Sequence, residues 1–484
     1  MLFDIQLLMI IAFLLSTLLV VFCTVRRFTT FRAYAVGNRQ FSTASLVSTA
    51  LACYYGGGTL TTNITQFCHG IYWVGFRCFG IIAAFSMLSW LSTRMSQFMY
   101  HISMPETMGR AYGKYTRVIT ALLSVGFSTT LIAAQVYIMS RVISICINSV
   151  NPLLITILAA LMLVSYATFG GIRAVVFTDI WQWITFCCLI CTLAWFMFKQ
   201  TDRSFYEIIA SVTSQKKFHL RSLFPNYNKL VTTLRYLSAL VSCIEPAFMQ
   251  NVYMSSSPFQ AKKMFLYAAI LGFMIMLCCA LVGLFTFVWI PPNLSEPDTW
   301  HYIMAHISPF LKGMIATCLL ALAMSTADSR LHICAVMISY DILPIIWPSH
   351  FRKNPSCLYY YRIAHAAILV IAMLSIGTAL IIRDFWIVGS AINWYIRWYL
   401  PIVGAPFILA VLGFRTTERI ALIGMLIGIL SVFTWRKWIY PILGTDNSSF
   451  LCMLLNGSAM LTAHYLFRHS KDAKDSNDAF QQIK

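Results

Sequence analysis

Residues 325–329 read Ser-Thr-Ala-Asp-Ser and lie inside an apolar run from Ile315 to Ile342. That run is long enough to cross a bilayer as a helix. Two adjacent hydroxyl residues, Ser325 and Thr326, at the middle of such a helix can hold a cation. Far upstream, the apolar segment from Ala50 to Thr61 is interrupted by Cys53-Tyr54-Tyr55-Gly56-Gly57-Gly58-Thr59. Consecutive glycines disfavour helix by about 1 kcal/mol each. Backbone freed at membrane depth is tolerable only where it lines a site buried in protein. Two such interruptions in one long hydrophobic chain are the pattern of secondary transporters.

Composition fixes the solvent. Hydrophobic residues make up 59% of the 484-residue chain and charged residues 11%, against a usual charged share of about 25%. Apolar stretches of about 20 residues recur throughout, which predicts spanning helices. The strands of a spanning barrel would alternate polar and apolar instead. The expected fold is therefore an all-α polytopic membrane protein in a lipid bilayer, with almost no soluble part. The net charge of +19 does not call for nucleic acid, because the basic residues cluster in short loops between apolar runs. The 15 cysteines are scattered through apolar segments and read as small buried hydrophobes. Cys188 and Cys191 have a CxxC spacing, but inside one continuous apolar run and with no second pair, so packing is favoured over metal binding.

Thirteen candidate spans lie near 4–24, 42–64, 70–92, 118–145, 153–169, 174–198, 231–250, 262–290, 312–340, 358–382, 386–412, 418–435 and 449–467. The first lacks a basic leader and is followed by Arg26-Arg27, which reads as a signal anchor. Arg26, Arg27, Arg32 and Arg39 place the first loop inside and the N-terminus outside. Alternation then puts Arg94, Arg110, Lys114, Arg117, Lys262-Lys263, Arg352-Lys353, Arg415 and Arg419 inside. The polar tail 469–484 falls inside too and is expected to be frayed. The loop 200–229 dissents, with Arg203, Lys216, Lys217 and Arg221 on the expected outer side.

Between the fifth and sixth spans the chain reads Tyr166-Ala-Thr-Phe-Gly170-Gly171-Ile-Arg-Ala174-Val175-Val-Phe-Thr178-Asp179-Ile-Trp-Gln182. Gly170-Gly171 is expected to end one helix. Asp179 is then either a helix-start carboxylate at the inner interface or part of an ion path.

This stretch resembles the sodium:solute symporter family, with its Tyr-x-x-x-Gly-Gly…Ala-Val…Thr-Asp…Gln pattern. Met324, Ser325, Thr326, Ser329 and Leu331, followed by Asp341, resemble a second hallmark of that family. Met104-Pro105-Glu106, Arg110-Ala111-Tyr112-Gly113, Ala134-Gln135 and Gly37-Asn38-Arg39 match further pieces in order, so the resemblance runs over roughly residues 1–470. It implies a LeuT-type 5+5 inverted-repeat core, with one helix before it and two after. Repeat one would cover about 42–198 and repeat two about 231–412, in one transporter domain over 1–468. It also implies sodium-driven uptake of a small organic solute, in a bacterial inner (cell) membrane, with no enzymatic step.

By the same resemblance, sodium would be bound by backbone carbonyls of Ala52, Tyr55 and Leu322 and by the hydroxyls of Ser325 and Thr326. Read without it, such hydroxyls bond their own i−4 carbonyl or join helices. The solute would sit between the broken second span and its pseudo-symmetric partner, the seventh. Tyr54, Gly56, Gly57, Gln135, Ser242, Glu245 and Asn393 are the candidates at that depth, with Trp394 beside the last. Glu245 either faces the solute or pairs with a cation. Arg77 faces a polar interior or snorkels. Three positions depart from the family pattern. Tyr54 stands where several members carry aspartate, Asn251 follows Gln250 where arginine is frequent, and Leu322 replaces a small residue. A transporter-like sensor is the alternative, although the residues after His469 are too few for a signalling module. No HExxH, Gly-x-Ser-x-Gly or nucleotide-binding loop is present. The sequence sets no oligomeric state.

Overall fold

The computed structural model of the chain describes residues 5–24, 30–146, 152–223, 229–291, 296–353, 356–381, 395–445 and 448–481. Nine helices among them are long and apolar enough to cross a membrane. Helix stands at each of the thirteen expected places, and the four outside that set are short or broken. The second place holds α3 (Thr43–Tyr54) followed by α4 (Gly57–Phe67). The fifth is the first arm of α8 (Pro152–Gln200). The seventh holds α10 (Lys229–Val241) and α11 (Pro246–Met254). The eleventh is described from Tyr395 to Val411.

Local chemistry explains these interruptions. Pro246 opens α11, and the residue before a proline is pushed out of the helical region. Glu245 is accordingly extended, at φ −143° and ψ 164°. The arms of α8 meet at Gly171, whose φ of 54° and ψ of −161° belong to a region essentially reserved for glycine. Gly171→Ala is therefore expected to cost about 1–3 kcal/mol, read as a lower melting temperature of the purified protein. An unchanged melting temperature would show that the turn accepts a Cβ. Two other long helices start on Ser-Pro. Ser257 caps α12 (Pro258–Trp289) and Ser308 caps α14 (Pro309–Val336), each accepting a backbone N–H three residues on.

The centre of the bundle is α14. Of its apolar window 89% is buried, against 22% in α1 (Ile5–Thr24). It packs on α8, on α7 (Lys114–Cys146), on α1 and on Cys357–Ile381. A second group forms around α12, which packs on α3, α4, α8 and α5 (Ile71–Ser92). The last two helices, Glu418–Thr434 and Ser449–Gln481, pack on each other and on the π-helical turn Leu400–Gly404.

At the end where α3 begins and α11 finishes, the elements are tied across. Arg117 on α7 pairs with Asp341 at 2.7 Å, in a π-helical turn that continues α14. Gln250 on α11 donates to the Ala35 carbonyl (2.7 Å), and Arg39 donates to the Ser255 carbonyl (2.7 Å).

The last helix runs on through most of the polar tail, to Gln481. The dissenting loop has local structure. It holds a helix over Phe205–Thr213 with a capping box of Ser204 and Glu207. Lys217 Nζ donates to the Cys68 carbonyl just beyond α4 (2.8 Å). That contact gives this lysine a structural place on the side where few were expected.

Candidate ion and solute site

The break in the second span is short. Tyr55 leaves the helix at φ −93°, ψ 84°, and Gly56 is extended at φ −80°, ψ 166°. Gly57 and Gly58 already belong to α4, so the unwound backbone is Tyr55-Gly56 and not the whole glycine run. The glycines instead permit close approach. A Cβ on Gly56 would lie 2.9 Å from Gln135 Nε2, and one on Gly57 would lie 3.2 Å from the Leu319 carbonyl. Gln135 Oε1 accepts the Gly57 N–H at 3.1 Å, satisfying a donor that the break leaves without a helical partner. The Tyr55 hydroxyl donates to the Gly272 carbonyl of α12 (2.6 Å), which anchors the break on its other side.

Opposite this break stands the middle of α14. Thr326 Oγ1 lies 3.1 Å from the Ala52 carbonyl and 3.1 Å from the Leu322 carbonyl. Ser325 Oγ donates to the Leu322 carbonyl at 3.0 Å. Both uses foreseen for these hydroxyls are thus present: a bond within the helix and a bridge to a neighbour. The oxygens of Ala52, Leu322, Ser325 and Thr326 gather in one place, and all four residues are buried. Tyr55 is buried three residues along from Ala52, on the unwound backbone. Neutral carbonyl and hydroxyl oxygens brought together in the buried interior suit a hard monovalent cation. The residues present therefore fit sodium.

Further along α14, around Asp328 and Ser329, lie two fully buried carboxylates, Asp328 of α14 and Asp179 of α8. Asp179 Oδ2 accepts from Ser329 Oγ (3.2 Å). Asp328 Oδ2 accepts from the Tyr166 hydroxyl (2.7 Å) and lies 3.3 Å from Thr178 Oγ1. Asp179 is not at a helix start, because the chain turns at Gly171, about two helical turns earlier. The helix-start reading is corrected accordingly. Sequence reasoning passed over Asp328 and Tyr166. The signal was available, since an ionisable residue at membrane depth is a functional candidate in its own right.

The solute candidates divide. Tyr54 and Ser242 share a cavity of about 370 Å³ with Arg77, Arg235 and Arg397. Gln135 stands at Gly56-Gly57, behind the break. Glu245 is withdrawn from the cavity. Its carboxylate forms a two-pronged pair with Arg330 of α14, at 2.7 Å and 3.2 Å, with both side chains buried. The Arg330 guanidinium also lies over the Phe127 ring, 5.4 Å from its centroid. Of the two readings of Glu245, the structure has the cation pair. Asn393 and Trp394 lie outside the described residues.

A helical bundle with two spans broken beside one cavity, and polar groups gathered at the breaks, is the architecture of a secondary transporter. The chain belongs to the sodium:solute symporter family, whose model matches residues 34–428. It is 25% identical over 297 residues to a sodium/proline symporter of Staphylococcus aureus (strain bovine RF122 / ET3-1), covering 59% of this chain and 56% of that protein. It is 23% identical over 328 residues to sodium/proline symporter 2 of Staphylococcus saprophyticus, covering 65% of this chain and 62% of that protein. The matched region thus spans about three fifths of these relatives' own lengths. Among solved structures, the substrate-bound outward-open state of a Na+-coupled sialic acid symporter superposes with a TM-score of 0.79 at 18% identity, covering 95% of this chain and 96% of that one. The nucleobase-cation-symport-1 family transporter Mhp1, closed on bromovinylhydantoin, superposes with a TM-score of 0.61 at 12% identity, covering 90% and 94%. The fold is the LeuT-type transporter fold that the family resemblance implied.

Proposed function

We propose that this protein is a sodium-coupled symporter that takes up a small organic solute by alternating access. The observation that carries this reading is the gathering of the Ala52 and Leu322 carbonyls around the Ser325 and Thr326 hydroxyls, where the second span unwinds. Tyr55 completes the proposed ion set through its carbonyl. The solute would enter the cavity lined by Tyr54 and Ser242 and reach the Gly56-Gly57 backbone held by Gln135. Asn393 would approach from the eleventh span. Glu245 holds the broken seventh span to α14 through Arg330 and does not bind solute. Asp179, linked to Ser329, would lie on the path by which sodium leaves.

The proposed domain is a single transporter unit over 1–468, with repeats at about 42–198 and 231–412 and a cytoplasmic tail at 469–484. It would lie in a bacterial inner membrane with its N-terminus outside. The ties at Arg117–Asp341 and Gln250–Ala35 then close the inner side while the cavity faces out.

Counterflow in proteoliposomes tests the reading, with a panel of amino acids, vitamins, sugars and monocarboxylates and with proline first. One or more solutes should exchange in sodium and fail to exchange in potassium. Binding without flux would instead make the chain a sensor. Asp179→Asn keeps shape and removes charge. It should slow net sodium-driven uptake several-fold and leave equilibrium solute binding nearly unchanged. Unchanged uptake at several membrane potentials would remove Asp179 from the path.

A further inference from the structure

A groove of about 440 Å³ lies where the start of α3 meets α12 and the second arm of α8. It shares no lining residue with the cavity at the helix breaks. Ala44, Val47 and Ser48 of α3 and Tyr267, Ile270 and Leu271 of α12 line it, together with Trp183 of α8. Val47 and Trp183 are buried, whereas Tyr267, Ile270 and Leu271 are about half exposed, so the groove has a floor of protein and opens along α12. The Ser48 hydroxyl donates to the Ala44 carbonyl at 3.2 Å and is satisfied within α3, which leaves the groove apolar. Leu266 and Met274 are exposed on the same helix, and α12 is long and apolar enough to span. This face of α12 therefore meets hydrocarbon. An unfilled groove there forfeits dispersion contacts along its lining, and the apolar group at hand is an acyl chain.

Charge at one end of the groove selects the headgroup. Lys263 stands one turn before Tyr267 on the same face of α12. Its Nζ lies over the Phe259 ring, 4.5 Å from the centroid, so the side chain runs towards the start of the helix, as a snorkelling lysine does. The start of α3 is at the same end. Gln260 Nε2 donates to the Phe41 carbonyl at 2.9 Å, next to Ser42, which caps α3. The positive end of the α3 dipole thus adds to the ammonium. Neither α3 nor α12 contains Asp or Glu. Basic groups at the membrane interface, beside a groove between spanning helices, recruit anionic headgroups.

We propose that this groove binds an anionic glycerophospholipid. One acyl chain lies against α3, α12 and Trp183, and the phosphate sits at Lys263 and the start of α3. The lipid thereby contacts the half-span that carries Ala52 and ends at the break.

Photo-crosslinking of the full chain in phosphatidylcholine proteoliposomes tests this, with a trace of phosphatidylglycerol that carries a diazirine in one acyl chain. Peptide mapping should find segments 43–48 and 267–271 labelled about fivefold or more above α1, whose exposed Leu15 and Leu19 report bulk lipid. The matching diazirine phosphatidylcholine should label all three segments alike. Lys263→Gln should lower groove labelling by the anionic probe about fivefold and leave α1 labelling unchanged. Lys437→Gln, on the π-helical turn Trp435–Ile439, should change neither. Ala44→Trp places a large ring at an exposed position of the groove and should abolish groove labelling, again with α1 unchanged. Uniform labelling by the anionic probe, equal enrichment of both probes in the groove, or groove labelling that survives Ala44→Trp would overturn the proposal. Groove labelling below that of α1 would mean that protein, such as a second copy of the chain, covers the groove, and would overturn it as well.

Discussion

Glu245→Ala is expected to leave little folded protein. The substitution strands the Arg330 guanidinium in the bundle interior, where its two bonds to Glu245, 2.7 and 3.2 Å long, are buried. Removing one partner of a buried pair costs about 3–5 kcal/mol, because the other charge stays desolvated and alone. That is a large share of a typical folding free energy of about 5–15 kcal/mol. Replacing both partners with apolar residues of similar size is often neutral or stabilising. The double substitution Glu245→Leu with Arg330→Met should therefore recover most of the monodisperse protein lost by Glu245→Ala. Size-exclusion recovery and melting temperature give the comparison. A single variant that melts with the parent would show that the pair does not hold the seventh span to α14.

Thr326→Ala and Ser325→Ala should each raise the half-saturating sodium concentration about tenfold or more. A hydrogen-bond-like contact to a charge contributes about 1.5–3 kcal/mol, and 1.4 kcal/mol is a factor of about ten. Thr326→Ala should be the more severe, since Thr326 Oγ1 also bridges α14 to the Ala52 carbonyl. Thr326→Ser keeps the oxygen and should stay near the parent. Sodium titrations of solute uptake, normalised to protein level, give the numbers. If both alanine variants keep the parental sodium dependence, the ion binds elsewhere.

What the sequence made legible follows from what is local. The apolar runs mark the spans, because a helix in lipid must satisfy its own backbone. Gly171 and Pro246 mark turns through their own backbone preferences. Ser325 and Thr326 stood out as polar residues inside an apolar run. What stayed hidden depends on partners distant in the chain. Glu245 and Arg330 are 85 residues apart, and nothing in the local pattern of either names the other. Asp328 was in plain view between Thr326 and Ser329, but its bonds to Tyr166 and Thr178 come from α8. The three arginines of the cavity lie on three separate helices, so their meeting is a property of the fold alone. The glycine run was read as wholly unwound. Only Tyr55-Gly56 is, because Gly57 and Gly58 pack as the first turn of α4 against Ile138 of α7 and Leu319 and Ala323 of α14.

Binding of radioactive sodium to the purified protein, without any solute, addresses the central claim most directly. The proposed ion site, Ala52, Tyr55, Leu322, Ser325 and Thr326, can be tested without knowing the solute. The parent protein should bind sodium saturably, unlabelled sodium should displace the label, and potassium should not. Thr326→Ala should shift the displacement curve about tenfold or more to higher sodium. Absence of saturable sodium-specific binding in the parent, or an identical curve for Thr326→Ala, would contradict it.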